Sequence, residues 1–314
     1  MHDWRHASVM PEHSHSNFSG FAFVGEALDR ADALRDDADA LARLWQNARV
    51  LVLDEKGNAF TDSQGQPLTP SGAELGGAGP GTAIFLGLQE DGQAWFGVDA
   101  ANVAYQADSC MDLRQAASRW DARTTTAFAF ARGMSFWHAS CRFCGVCGGA
   151  IRFRRGGFVG SCEQCGNEHY PRVDPAVIVA VSDGDRLLLG RQASWIPRRY
   201  SVIAGFVEPG EALEQTVARE VFEETKIRVD RVSYLGSQPW PFPGALMLGF
   251  QATAAAGQQP DVGADELEDA RWFDRNEIGA ALARDLDDDG EGLLLPQSIS
   301  IARALIEHWY RSGA

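Results

Sequence analysis

The chain has 314 residues, of which 45% are hydrophobic and 23% charged, the balance of an ordinary globular protein long enough for two or three domains. Its formal charge of −15 argues against a general binder of nucleic acid or membrane surface, since both are anionic. It leaves room for one phosphorylated ligand held by a metal or by local arginines.

Residues 1–20 are polar, carry His13 and His15, and read as a flexible N-terminus. They lack the charged-then-apolar order of a signal peptide, and no run of about 18 apolar residues follows, so no membrane partner and a cytoplasmic location are expected. An Ala/Asp/Arg-rich stretch from Phe21 to Trp45 reads as helix. ARVLVLDEKGNAF reads as strand and then turn, reversing at Lys56-Gly57-Asn58. Gly, Pro and Ser crowd residues 62–81 into a loop, and TAIFLGLQEDGQAWFGVDA reads as a hairpin around Glu90-Asp91-Gly92. Leu113 to about Ala139 is alanine-rich and reads as helix. Residues 21–139 thus form an expected N-terminal α+β domain without a catalytic constellation.

Six cysteines follow at Cys110, Cys141, Cys144, Cys147, Cys162 and Cys165. The last four make C-x2-C-x14-C-x2-C, the spacing at which two knuckles each give two thiolates to one tetrahedral Zn²⁺. Glycines beside them permit the tight turns that aim both sulfurs inward. A disulfide pair is the alternative, and no export signal supports it. Four thiolates leave no open position for water, so the zinc is structural and the ribbon spans residues 140–170. Cys141 fits the spacing less well, and Cys110 reads as a buried, small apolar residue.

From residue 171 the pattern changes. PAVIVAVSD and DRLLLGRQ are strands joined at Asp183-Gly184-Asp185, and SVIAGFVEPGE is a strand leaving through a Pro-Gly turn. ALEQTVAREVFEETK reads as a helix burying Leu213, Val217 and Val221. RVSYLGS, ALMLGFQATAAA and DARWFDR are further strands, and PQSISIARALIEHWY is a closing helix.

On the acidic helix Glu220, Glu223 and Glu224 share one face, and Arg219 reaches Glu223 one turn on. Spacing alone fits either a solvated acidic face or a Mg²⁺ or Mn²⁺ site, because hard cations take oxygen ligands. The wider pattern from Gly205 is G-x5-E-x7-R-E-V-x-E-E, with Glu211, Arg219, Glu220, Val221, Glu223 and Glu224 in register. This resembles the Nudix box of hydrolases acting on nucleoside diphosphates linked to another group. Lys226 stands where that family has glycine.

The resemblance implies an α+β protein in which a Nudix α/β/α sandwich over residues 171–314 follows the zinc ribbon and the N-terminal α+β domain. It implies that Glu220, Glu224 and the Ala204 carbonyl hold Mg²⁺ or Mn²⁺, with Glu223 as ligand or base and Glu266 completing the set. Arg219 would anchor the catalytic loop through Glu211 or Glu223.

SQPWPFP begins thirteen residues beyond Glu224, and this uncharged, ring-bearing segment cannot be a helix interior. It is similar to the SQPWPFPxS array of the NADH pyrophosphatase branch, which also carries a four-cysteine ribbon followed by Tyr-Pro, here Tyr170-Pro171. By that resemblance Gln238, Pro239, Trp240, Pro241, Phe242, Pro243, Gly244 and Ala245 contact a dinucleotide, the prolines holding the rings as a preformed wall. Tyr170 would stack on or bond to it, and Arg114 and Ala302 would lie near. Ala245 replaces the array's serine and Cys141 a histidine of the branch. The implied activity is metal-dependent hydrolysis of NAD(H) to AMP and a nicotinamide mononucleotide by a homodimer, with NAD-capped RNA 5′ ends not excluded. The rival readings are a Nudix hydrolase of another substrate, such as ADP-ribose, and a non-catalytic nucleotide sensor.

Overall fold

The computed structural model describes residues 18–25, 27–263, 266–284 and 290–313. Most of the expected flexible terminus, with His13 and His15, lies outside them. Two compact units are present: Phe23–Val173 with Pro239–Gly244, and Asp174–Gln238 with Ala245–Ala314 and the residues just before Phe23.

The first unit begins with α1 (Ala38–Trp45), β1 (Arg49–Leu53), β2 (Ala59–Thr61), β3 (Ile84–Leu88), β4 (Ala94–Asp99) and β5 (Ser109–Met111). The strands form a sheet in the order β3-β4-β1-β2-β5, parallel only between β1 and β4. Alternate residues of β1, Val50 and Val52, join Phe85, Phe96, Leu41 and Trp45 in one core. Next come α2 (Leu113–Ala117) and α3 (Ala122–Ser140), then the ribbon strands β6 (Ile151–Arg154), β7 (Val159–Cys162) and β8 (Glu168–His169). Phe153 of β6 stacks on His138 of α3 at 3.6 Å, and Gly156 O accepts the Phe85 amide at 2.9 Å.

Three expectations change here. The helix expected over 21–45 is confined to α1 and a short 3-10 turn, Asp32–Asp36. Phe23 and Ala31 adopt left-handed backbone (φ 71° and 42°), and Asp29 pairs with Leu88 as a strand would. Asp37 then starts α1 by accepting the Ala40 amide at 2.8 Å. The helix expected over 113–139 is broken between α2 and α3, where Trp120 donates to Gly65 O and Asp121 caps Thr124. Cys110 is exposed, not buried, because β5 is the edge strand; its thiol lies 3.5 Å from Asp54 Oδ2.

The second unit contains β9 (Asp174–Ser182), β10 (Arg186–Arg191), β11 (Ile203–Phe206), α4 (Leu213–Thr225), β12 (Val229–Trp240), β13 (Ala245–Ala254), β14 (Asp269–Asp274), α5 (Arg275–Arg284) and α6 (Ile301–Arg311). Its sheet runs β12-β13-β9-β10-β14, with β11 also paired to β9. Residues alternate along β9: Val177, Val179 and Val181 pack with Val217 and Val221 of α4, while Ile178 and Ala180 pack with Leu305 of α6 and Ile278 of α5. Helices therefore cover both faces of the sheet, the expected sandwich. Phe18, placed by sequence in the flexible terminus, is buried against this second core, edge-on to His308.

Candidate active site and metal centres

In the ribbon all four sulfurs of Cys144, Cys147, Cys162 and Cys165 lie within 4.8 Å of one another, with Cys144–Cys165 at 3.8 Å and Cys147–Cys162 at 3.4 Å. A tetrahedral zinc with bonds of about 2.3 Å holds its sulfurs about 3.8 Å apart, so the set fits that ion. Each knuckle turns through a left-handed glycine, Gly148 or Gly166. The turns aim backbone amides at sulfur: Val146 N on Cys144, and Gln164 N and Cys165 N on Cys162, each at 3.4 Å. The Val146 amide, then those of Cys147 and the His169 ring, pull the Cys144 thiol down to about 6. The Cys165 amide lowers Cys162. At Cys147 the Gly149 amide acts downward, but the neighbouring sulfurs of Cys165 and Cys162 outweigh it and push that thiol to about 12. Four crowded sulfurs cannot all ionise without a cation. Cys141, half-buried, stands outside the group, and its thiol is raised by burial and by Cys144.

The acidic helix is organised around Arg219. Its Nε and Nη2 donate to the two oxygens of Glu211 at 2.6 and 2.9 Å. Nη1 donates to Glu220 and Glu223, both at 2.9 Å, and Nη2 to Phe206 O at 3.0 Å. Glu211 also accepts from Glu208 N and Thr216 Oγ1, and with Arg219 as the main cause its carboxyl falls to about 2. One guanidinium thus pins the loop after β11 to α4 and orients two carboxylates. Gly205 makes the fit possible: a Cβ there would lie 1.9 Å from the Glu220 carboxyl carbon. Ala204, the carbonyl expected at the metal, is its neighbour on β11, opposite Ile178 of β9.

Arg219 does not reach Glu224. Burial, followed by the charges of Glu266, Glu220 and Glu223, pushes the Glu224 carboxyl up to about 8. Burial likewise raises Glu220, Arg219 opposing it and Glu223 and Glu266 adding to it. Glu266, though exposed, is therefore close enough for its charge to act on both. Two half-buried carboxylates, Glu220 and Glu224, beside the exposed Glu223 and Glu266 fit a hard divalent cation. α4 ends where Lys226 takes left-handed backbone (φ 58°) and donates its amide to Phe222 O, so lysine fills the cap usually given to glycine.

The aromatic array closes the turn between β12 and β13, with Pro239–Gly244 packed in the first unit. The Trp240 and Phe242 rings meet at 4.9 Å, and Phe23 packs on both at 6.1 and 6.4 Å. Arg114 lies over Phe242 at 3.8 Å, and Arg132 is 4.9 Å from the same ring. Pro239 and Pro243 are exposed, Pro241 is buried, and Trp240, Phe242, Gly244 and Ala245 are half-buried. The structure so gathers Arg114 with the rings, a juxtaposition resting on a separation that no local pattern reveals. Tyr170 is exposed, and its hydroxyl donates to Glu168 at 2.7 Å.

Two expected ligand contacts are buried. Gln238 is inaccessible; its Nε2 donates to Ala22 O and Ile299 O at 2.9 and 2.8 Å, and its Oε1 accepts the Ile301 amide at 2.8 Å. Both amide hydrogens are committed within the fold, so this side chain fixes the start of α6 and presents no donor to a ligand. Ala302 faces the second core at 6% exposure. Sequence reasoning missed Phe23, Arg132, Thr216 and the steric role of Gly205. Of these only Gly205 carried a signal, its place at the head of the box.

The fold and these clusters define a hydrolase architecture, and comparison with known proteins places it. A NUDIX domain matches residues 172–295, and an NADH pyrophosphatase zinc ribbon domain matches residues 139–170. The NAD-capped RNA hydrolases NudC of Mycobacterium bovis and Mycobacterium tuberculosis are each 41% identical over 289 residues, 90% of this chain and 92% of theirs. The NAD-capped RNA hydrolase NudC of Stutzerimonas stutzeri is 42% identical over 198 residues, 62% of this chain and 65% of its own. The chain belongs to the Nudix hydrolase family, in the branch that carries the NADH pyrophosphatase zinc ribbon.

Proposed function

We propose that this enzyme hydrolyses the diphosphate bond of NAD(H), giving AMP and a nicotinamide mononucleotide, and cleaves the same bond in NAD-capped RNA, releasing the nicotinamide mononucleotide and leaving a 5′-monophosphate on the RNA. The likeness to NudC along nearly the whole chain supports the substrate class. The observation that carries the chemistry is the desolvated, mutually repelling Glu220–Glu224 pair beside Glu266.

In this reading Glu220, Glu224 and Glu266, with the Ala204 carbonyl, hold Mg²⁺ or Mn²⁺. When bound, the metal neutralises the diphosphate oxygens and lowers the pKa of water. Arg219 keeps Glu220 and Glu223 in fixed rotamers and locks the loop through Glu211. Glu223, 58% exposed and more open than Glu220 or Glu224, is placed to receive a proton from the attacking water. Water oxygen bonds to phosphorus as the bridging P–O bond breaks, and the bridging oxygen leaves on the other mononucleotide. Trp240 and Phe242 grip a flat ring of the dinucleotide, with Arg114 behind Phe242.

The ribbon zinc has no place in the reaction. We further infer a cytoplasmic homodimer with composite sites, for which the exposed Tyr170 and Val173 supply apolar surface. Light scattering on the purified chain tests the dimer. Turnover compared on NADH, NAD⁺, ADP-ribose and NAD-capped RNA with Mg²⁺ or Mn²⁺ tests the activity. Faster cleavage of ADP-ribose than of every NAD-bearing substrate would overturn it.

A further inference from the structure

Phe242 has a neighbour to which neither the sequence motifs nor the reaction assigns a role. Arg132 on α3 is 109 residues away from Pro241 in sequence, yet its Nη1 donates to the Pro241 carbonyl. Its guanidinium carbon is 4.9 Å from the Phe242 ring centre, while Arg114 covers the same ring at 3.8 Å. The stem of Arg132 passes close to Gly57, where a Cβ would stand 3.3 Å from its Cγ and Nε. One residue on, Gly133 faces the same turn: a Cβ there would be in ordinary contact with Pro241 Cβ, at 3.6 Å.

We propose that Arg132 is a positioning residue for the aromatic turn, holding the Pro241 carbonyl and the side of the Phe242 ring so that Trp240 and Phe242 meet a dinucleotide in one fixed arrangement. This role rests on the reading of the turn as a dinucleotide wall.

The physical argument is one of missing constraint. The prolines fix φ along the turn, but they also remove backbone donors, so the turn cannot lock itself through an amide ladder. The Phe242 amide donates to Trp240 O at 2.7 Å, whereas Pro239, Pro241 and Pro243 have no amide hydrogen. A charged donor from a rigid helix supplies the constraint from outside. Arginine suits the position because one planar group can donate in its plane and lie against a ring. Burial, then the charge of Arg114, lowers Arg132 from the usual guanidinium value, with Asp112 and Asp54 opposing. A half-buried cation beside another cation is retained here against that penalty, in keeping with a specific contact. Arg132 touches neither substrate nor metal in this scheme, so its removal should weaken recognition and spare the chemical step.

The test is steady-state kinetics on NADH for Arg132→Gln, Arg132→Lys, Phe242→Ala and the double variant Arg132→Gln/Phe242→Ala, with hydrogen exchange of the turn amides. Arg132→Gln should raise KM about ten-fold, the scale of losing one stacked ring, with kcat within about two-fold. Arg132→Lys, which keeps a charged donor, should recover part of that loss. The double variant should be no worse than Phe242→Ala alone, because both changes act through one ring. Exchange at Phe242 should quicken in Arg132→Gln. Unchanged exchange, or additive losses in the double variant, would overturn the proposal whatever the other kinetics show. An unchanged KM in Phe242→Ala would overturn the dinucleotide wall itself, and faster exchange in Arg132→Gln would then leave only a scaffold contact.

Discussion

In the ribbon, four potential thiolates converge and the backbone meets them, with amides aimed at Cys144 and Cys162 from tight knuckle turns. On α4, several carboxylates converge and a single side chain, Arg219, meets two of them while Glu224 is left to its like-charged neighbours. Both regions collect negative charge, but the first meets it with donors fixed by the main chain and, with four sulfurs for four tetrahedral positions, leaves none open on its metal. The second leaves part of its charge uncompensated, as a group that must engage metal, water and phosphate requires. Stability and reactivity are thus separated between a closed sulfur centre and an open oxygen one.

The largest expected effect breaks the closed side. One zinc per chain is expected by elemental analysis, and Cys144→Ser should release it. Zinc contributes free energy on the order of 10 kcal/mol in isolated finger peptides, so the ribbon should unfold. Full zinc content and an unchanged melting curve in Cys144→Ser would remove this centre from the comparison.

On the open side, Glu224→Gln and Glu220→Gln should lower kcat roughly 10²-fold or more while keeping the zinc, by analogy with other electrostatic deletions. The metal-free Glu224 carboxyl, raised to about 8, is charged only in alkaline solution, so at pH 9 without divalent metal Glu224→Gln removes a like charge and its Tm should equal or exceed that of the parent. Near-normal turnover in both variants, with circular dichroism unchanged, would move the chemistry elsewhere.

Gly205→Ala sharpens the same contrast. The new methyl would meet the Glu220 carboxyl group, forcing it to turn away from its place beside Arg219. A displacement of about 1 Å can cost up to 10²-fold, so kcat should fall on the order of ten- to a hundred-fold, with a weaker apparent metal affinity in metal titrations. Unchanged values would show that Glu220 is free to reposition.

The smallest effect is at the helix end. Lys226→Gly relieves a left-handed lysine and should raise stability by about 1 kcal/mol in denaturant titration, with kcat unchanged. A loss of stability would mean that the bond from Lys226 Nζ to Glu223 O and its approach to Phe222 outweigh the backbone strain.

What could be read from the residues follows the range of the forces involved. The knuckles and the α4 stripe of Val217 and Val221 are local patterns, and both formed where expected. The helix over 21–45 failed because the pairing of Asp29 with Leu88 is a long-range choice that alanine propensity cannot anticipate. Cys110 failed for a related reason, since exposure at a sheet edge depends on strand order. In the array, the motif pointed to the rings, but Gln238 proved to be an internal clamp and Arg132 carried no local signal. Motifs mark which residues stand together along the chain; they do not say which ones turn inward.

The alternation along β9 also bears on which changes in length the protein can absorb. Val177, Val179 and Val181 belong to one core, Ile178 and Ala180 to the other, on a single uninterrupted strand. Exchanging one aliphatic residue for another of similar volume disturbs one side by a modest amount. Deleting one codon within the strand would transpose every following side chain, sending those shaped for the α4 side under α6 and the reverse. Such a deletion is a simultaneous error in both cores, so β9 should tolerate point substitution while rejecting insertions and deletions of a single residue.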